Sequence, residues 1–318
     1  MKVIITDHGF PHVDQEKHLV TEAGATLAVA QCKSPEEVIA ACKDADALLV
    51  QWAPITAKVV AALEKCKVIV RYGIGVDNVD LKAAAAKGIP VCNIPDYCID
   101  EVADHSLSLA LALARQLPQT DAIVRAGTWK IMPPKPFPAL RDVTFATAGY
   151  GRIARAVLER AKPFGFKLAA YDPFVDSSIF EKQGIRRLSQ KELFREAGIL
   201  SLHLPLTPET KHFVGKEPLA EMAKEAIVVN TARGGLIDTV ALAEALSGGR
   251  LHGAGIDVFE MEPLPGDHPL RSSPNVILTS HTAWYSGGSI PILQRKVGEE
   301  VVRALRGETL RNVVNGIK

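Results

Sequence analysis

The sequence predicts an α/β protein in which parallel strands are covered by helices. Three observations carry the prediction. Short apolar runs alternate with helix-like segments from the first residue onward, the pattern of consecutive β-α-β units. The 318 residues exceed one ordinary domain, so two are expected. Midway, a glycine-rich turn at Gly149–Ala154 joins an apolar run to a helix-like segment inside a second such series.

Taken in order, "VIITD", "TLAVA", "ALLVQ", "VIVR" and "IPVCN" read as the strands of the first series. Helical patterns such as "SPEEVIAACKDA" lie between them, with Ser34 placed to cap its helix. Near Asp100 the pattern changes. "DEVADHSLSLALALARQL" reads as one long helix, apolar over most of its circumference and therefore buried on several sides. A dimer interface and a core position both satisfy that requirement. The proline-rich "MPPKPFP" follows as a loop, and "VTFATAGYGRIARAVLERAKPFGFKLAAYDP" opens the second series. Its further strands are "GILSLHL", "AIVVN", "GAGIDVF" and "NVILTS". The last helix, Gly288 to Arg306, has no strand left to cross to and is expected to pack on the first domain.

Composition narrows the function classes. Lys+Arg 37 against Asp+Glu 36 leaves a net charge of +1, with no basic stripe or acidic tail, so neither nucleic acid nor membrane is an expected partner. "MKVIITD" is a strand pattern without a signal-peptide core, and no uncharged apolar run reaches membrane-spanning length; a cytoplasmic protein is expected. The five cysteines, Cys32, Cys42, Cys66, Cys92 and Cys98, show no C-x-x-C spacing. They are expected as reduced, largely buried thiols, with no metal site.

The glycine turn has the form of a dinucleotide fingerprint. Gly149 permits the tight turn, Gly151 lets a pyrophosphate approach the backbone, and the helix N-terminus supplies N–H groups and positive dipole. Ala154 stands at the third position, which needs only close helix–strand packing. The next strand, "KLAAYD", ends in Asp172, 23 residues beyond Gly149, where an acid can bind the adenosine ribose hydroxyls. "GIGVDN", Gly73 to Asn78, is not a second fingerprint, because no helix follows directly.

Ligands in doubly wound folds bind outside the carboxyl ends of the strands. Arg233, Asp257 and His281 follow such ends, and Glu262 lies in the loop after "GIDVF". Arg can hold a carboxylate by bidentate hydrogen bonds, His can transfer a proton, and Glu can orient the imidazole. A lone Arg there is ordinarily solvated, a lone Glu before Pro is ordinarily loop surface, and a lone His often sits in a core. Together, on one edge with a dinucleotide site, they form a catalytic set. Gly234 and Gly235 are expected to let cofactor and substrate come close to the chain. Trp284 is either core packing or a wall of the substrate pocket.

"RYGIGVDNVDL", "GYGRIA", "YDP", "LHLPLTPET", "NTARGGLID", "GIDVFEMEP" and "SHTAWYS" resemble the D-isomer-specific 2-hydroxyacid dehydrogenases. "HTAWYS" and "IPDYCIDEVADH" are most similar to the branch containing the C-terminal binding protein corepressors and their dehydrogenase relatives. The resemblance runs from about Lys67 to the end. It implies two Rossmann-like domains, one flavodoxin-like and one dinucleotide-binding, with the active-site cleft between them. Residues 1–98 plus 287–318 would form the substrate domain, and 99–286 the NAD domain with a dimerisation helix. A homodimer without a further regulatory domain is the corresponding expectation.

The resemblance also assigns roles. Arg233, Glu262 and His281 match the catalytic residues. Gly149, Tyr150, Gly151, Arg152, Ile153 and Asp172 match the pyrophosphate and ribose contacts. Leu204, Pro205, Thr210, Thr231, Ala232 and Asp257 match positions lining the adenine and nicotinamide halves. Ile74 and Gly75 match the loop that binds the substrate carboxylate. "EAGILS" lacks the acid usual before the "LHLPLT" strand, which leaves the catalytic set untouched. The expected activity is NAD-dependent reduction of a small 2-oxo acid to a D-2-hydroxy acid. Two alternatives stand beside it: an NAD(H)-sensing binding protein of the corepressor type, and a dehydrogenase of phosphoglycerate or hydroxypyruvate type.

Overall fold

The computed structural model describes residues 1–131 and 136–317; the first four residues of the expected proline-rich loop lie outside that range. The chain divides into two compact units, Met1–Tyr97 with Tyr285–Lys318, and Cys98–Trp284. In the first unit β1 (Lys2–Ile5), β2 (Thr26–Val29), β3 (Ala47–Val50), β4 (Val68–Arg71) and β5 (Val91–Cys92) alternate with α1 (Asp14–Glu22), α2 (Pro35–Cys42), α3 (Ala57–Ala62) and α4 (Leu81–Ala86). The strands run parallel in the order β2-β1-β3-β4-β5. Every residue of β3 is buried, as a central strand covered on both faces requires, whereas β2 is a largely exposed edge. The Ser34 side chain accepts the Glu37 N–H and caps α2.

The second unit opens with α5 (Ile99–Ala114) and α6 (Leu117–Arg125). A single helix from 100 to 117 was the expectation, and the structure corrects it. Gln116 adopts φ 52 and starts a new helix with a proline in its first turn. The cause is Pro118, which has no N–H to give and crowds the preceding turn, but fits the beginning of a helix. α5 is buried against its own sheet, where a Cβ on Gly255 would lie 2.9 Å from Leu109 Cβ.

There follow β6 (Thr144–Ala148), α7 (Arg152–Ala161), β7 (Lys167–Tyr171), α8 (Ser177–Lys182), β8 (Arg186–Arg187) and α9 (Gln190–Glu196). Then come β9 (Ile199–Leu202), α10 (Lys216–Glu221), β10 (Ile227–Asn230), α11 (Thr239–Ser247), β11 (Gly253–Ile256) and β12 (Val276–Leu278). All pairings are parallel, in the order β12-β11-β10-β9-β6-β7-β8. The order reverses between β6 and β9, which makes their carboxyl ends the natural ligand crevice. α12 (Ser289–Arg306) belongs to the first unit: Gln294 Nε2 donates to the His12 carbonyl at 2.7 Å, and Gly298 brings the helix onto Leu19 of α1. No helix among the described residues is long and apolar enough to cross a membrane. The five cysteines are free thiols.

Candidate active site

The fingerprint turn sits at the reversal point. Gly149 adopts φ 94, and a Cβ there would lie 2.7 Å from the His203 carbonyl oxygen, so only glycine lets β6 and β9 end side by side. Gly151 precedes α7 in extended conformation, with open space where a Cβ would point and no side chain capping the helix. The first N–H groups of α7 are therefore left for a ligand. Asp172 closes the other side. Its Oδ2 accepts the Tyr150 N–H at 2.9 Å and its Oδ1 the Phe174 N–H at 3.0 Å, leaving lone pairs for further donors. A dinucleotide fits these groups: bare backbone at a helix N-terminus for a pyrophosphate, and a fixed carboxylate for ribose hydroxyls.

Arg233, Glu262 and His281 stand on neighbouring strand ends, after β10, β11 and β12. His281 Nδ1 lies 2.7 Å from Glu262 Oε2, and the Phe259 N–H donates to Glu262 Oε1 at 2.9 Å. Burial alone would raise the Glu262 pKa. The hydrogen bonds from His281 and the Phe259 N–H, with the His281 and Arg233 charges, outweigh it and hold the carboxyl below its usual range. An ionised Glu262 only accepts, so it selects the His281 tautomer with the proton on Nδ1 and leaves Nε2 for the substrate. Arg233 Nη1 donates to the Ala232 carbonyl at 2.6 Å, and Asn230 bonds the Ala232 N–H and the Arg233 carbonyl, fixing the strand end that aims the guanidinium.

His281 adopts φ 57, a strained conformation for a residue with a Cβ. Asp257 imposes it. The buried Asp257 accepts from Thr279 Oγ1 (2.6 Å), Thr282 N (2.9 Å) and Ala283 N (3.0 Å), while its carbonyl takes the His281 N–H (2.8 Å). The carboxylate matched to a nicotinamide-lining position is thus committed to the loop that carries His281. The glycines after Arg233 also have a packing reason. A Cβ on Gly234 would lie 1.9 Å from the Phe259 carbonyl carbon, and one on Gly235 3.0 Å from Leu206 Cδ2. On its Cβ side the bare backbone admits another stretch of chain.

The remaining expected contacts vary in what they offer. Arg152 is exposed at the start of α7 and Ile153 half-buried beside it. The Tyr150 ring is buried and stacks on Phe180, so only its backbone faces the turn. Leu204 and Pro205 follow β9, and the Thr210 hydroxyl donates to the Pro205 carbonyl, tying that loop into a turn. Thr231 is bonded to Ser106 of α5 at 2.7 Å, and Ala232 is half-buried. Trp284 is half-buried at the end of the second unit, while Ile74 and Gly75 lie in the first, where Asn93 holds the Ile74 carbonyl. Sequence reading missed His105, whose Nε2 lies 3.0 Å from Thr279 Oγ1, as well as Thr279 itself and Glu260. Nothing in their spacing marks them.

Residues 107–283 match the family model of the D-isomer specific 2-hydroxyacid dehydrogenase NAD binding domain. A D-3-phosphoglycerate dehydrogenase of Methanocaldococcus jannaschii is 41% identical over 99% of this chain, which spans 59% of that protein's length. A glyoxylate reductase of Korarchaeum cryptofilum is 38% identical over 89% of this chain and 86% of its own. Among solved structures, the D-lactate dehydrogenase of Aquifex aeolicus complexed with NAD and lactic acid superposes with a TM-score of 0.86. It is 26% identical and covers 97% of this chain and 96% of its own.

Proposed function

The chain belongs to the D-isomer-specific 2-hydroxyacid dehydrogenase family, and from that premise we propose that it is an NAD-dependent reductase of a small 2-oxo acid. The observation that carries the reading is the Glu262–His281 pair, 2.7 Å apart on the strand edge that also bears Arg233 and the fingerprint turn. Gly151 and the α7 N-terminus would hold the pyrophosphate, and Asp172 the adenosine ribose, where its negative charge opposes a 2′-phosphate and favours NADH. When bound, the nicotinamide supplies or accepts the hydride exchanged with the substrate C2. Arg233 clamps the substrate carboxylate. His281 Nε2 gives a proton to the carbonyl oxygen during reduction and takes it back in oxidation, and Glu262 holds the ring in register.

Ile74 and Gly75 are assigned to the substrate carboxylate and Trp284 to the substrate tail as parts of the same proposal. So are a cytoplasmic location and a homodimer. Support for the dimer comes from exposed apolar side chains on and after α6: Leu117, Val124, Trp129 and Ile131. A phosphorylated substrate is the second reading. The phosphoglycerate dehydrogenase relative favours it, as does Arg71, whose Nη1 lies 1.6 Å from where a Cβ on Gly73 would sit, next to Ile74. Steady-state reduction of glyoxylate, pyruvate, hydroxypyruvate and phosphohydroxypyruvate with NADH tests both. Turnover of any supports the reductase, and preference for the phosphorylated acid selects the second reading. No turnover of any overturns both.

A further inference from the structure

Loop 259–262 carries two glutamates whose side chains go separate ways. Glu262 meets His281. Glu260 instead draws two other segments together: its Oε1 lies 2.7 Å from His212 Nε2, and its Oε2 accepts from the Thr239 hydroxyl at 2.7 Å and the Thr239 N–H at 3.2 Å. Thr239 is the buried first residue of α11, and its hydroxyl is also 3.1 Å from His268 Nε2. His212 sits at φ 52 in the loop after β9, where its own N–H donates to the Gly235 carbonyl. Burial would raise the Glu260 pKa, but the hydrogen bonds from Thr239 and His212 dominate, so the carboxyl stays ionised below its usual range. As an anion at the start of a nine-residue helix it is also well placed against the helix dipole.

We propose that Glu260 is a positioning residue that pins loop 259–262, so that Glu262 reaches His281 in working geometry. The inference rests on the proton-relay reading above. Only Met261, itself exposed, separates the two glutamates, and the Phe259–Glu260 backbone is wedged against Gly234 beside Arg233. Release of the Glu260 carboxylate would therefore leave Glu262 tied to the wedged segment by the Phe259 N–H alone. A shift of about 1 Å in a catalytic group can cost on the order of 100-fold in rate.

The test is a double-mutant cycle in the full-length chain, with kcat and KM for the best 2-oxo acid and NADH affinity by fluorescence. Glu260→Gln should lower kcat about 10- to 100-fold and leave NADH affinity within about twofold. In a Glu262→Gln background it should add less than about threefold, because the group it positions is gone. A purely structural role predicts losses that multiply. Should Glu260→Gln fail to fold, His212→Ala takes its place, with a smaller loss that again vanishes in the Glu262→Gln background. Wild-type kcat in the Glu260 variant, or multiplying losses, overturns the proposal. An inactive wild type, or an unimpaired Glu262→Gln, overturns the relay reading and this inference with it, and is recognised without any Glu260 variant.

Discussion

Gly151 and Gly234 each follow a strand of the same sheet, and neither adopts the left-handed conformation that side chains avoid. Their surroundings are opposite. A Cβ on Gly151 would meet nothing within 4 Å, at an uncapped helix N-terminus. One on Gly234 would run into the Phe259 backbone at 1.9 Å. The first glycine leaves room for something outside the chain, and the second lets two parts of the chain close on each other beside Arg233. Bare backbone at a strand end is therefore not by itself a sign of ligand contact; the packing of the opposite segment decides.

The sharpest way to break this comparison is at Arg233, whose side chain the second turn exists to aim. Arg233→Lys keeps the cation but loses the planar fork, and Arg233→Gln loses both. Loss of such a contact in a closed site costs about 3–5 kcal/mol, so kcat/KM should fall roughly 10²- to 10⁴-fold in the Gln variant and less in the Lys variant, with NADH affinity retained. Full kcat/KM in Arg233→Lys would remove the clamp.

Next comes Gly234→Ala. Overpacking against backbone costs about 1–3 kcal/mol, so the variant should unfold several degrees earlier and turn over poorly as loop 259–262 moves. Wild-type Tm and kcat together would show that the wedge does not matter.

Gly151→Ala should do the reverse. The extended backbone there accepts alanine and the space is open, so Tm should stay within a degree or two, while NADH affinity drops about tenfold, roughly 1.4 kcal/mol. A destabilised protein with normal NADH binding would invert the comparison.

The last effect is read in pH at His203, whose carbonyl closes on Gly149. Desolvation pushes its imidazole down to about 3 from an ordinary 6.5. The folded protein keeps this ring neutral while the unfolded chain takes up a proton. Its contribution is therefore whole above about 6.5 and is lost as the pH falls toward 3. In thermal melts across that window, His203→Gln should lose Tm less steeply than the wild type, and parallel slopes would count against the assignment.

The parallel α/β architecture was legible because apolar periodicity and turn residues are local. The eleven strands expected from the sequence form, including "ALLVQ" as a wholly buried central strand and "AIVVN" running up to Arg233. β8 and the break at Gln116 were not anticipated: the one is two exposed residues, "RR", and the other turns on a single proline. Within the candidate site, the fingerprint turn and Asp172 announce themselves because one strand, one turn and one helix in succession hold them. The partnership of Glu262 with His281 rests on where two loops from adjacent strands come to lie.

By itself, then, the sequence determined that strands and helices alternate, that Gly149 and Gly151 begin a helix after a strand, and that Arg233, Glu262 and His281 come after strands. Only the tertiary structure decided that Gly234 faces chain, that Asp257 spends its carboxylate on the His281 loop, and that Glu260 and Glu262 part company two residues from each other. The reason is physical. Element type follows from side chains a few residues apart, whereas the direction of a loop carboxylate follows from donors 19 to 48 residues away, brought within 3 Å by the packing of the sheet.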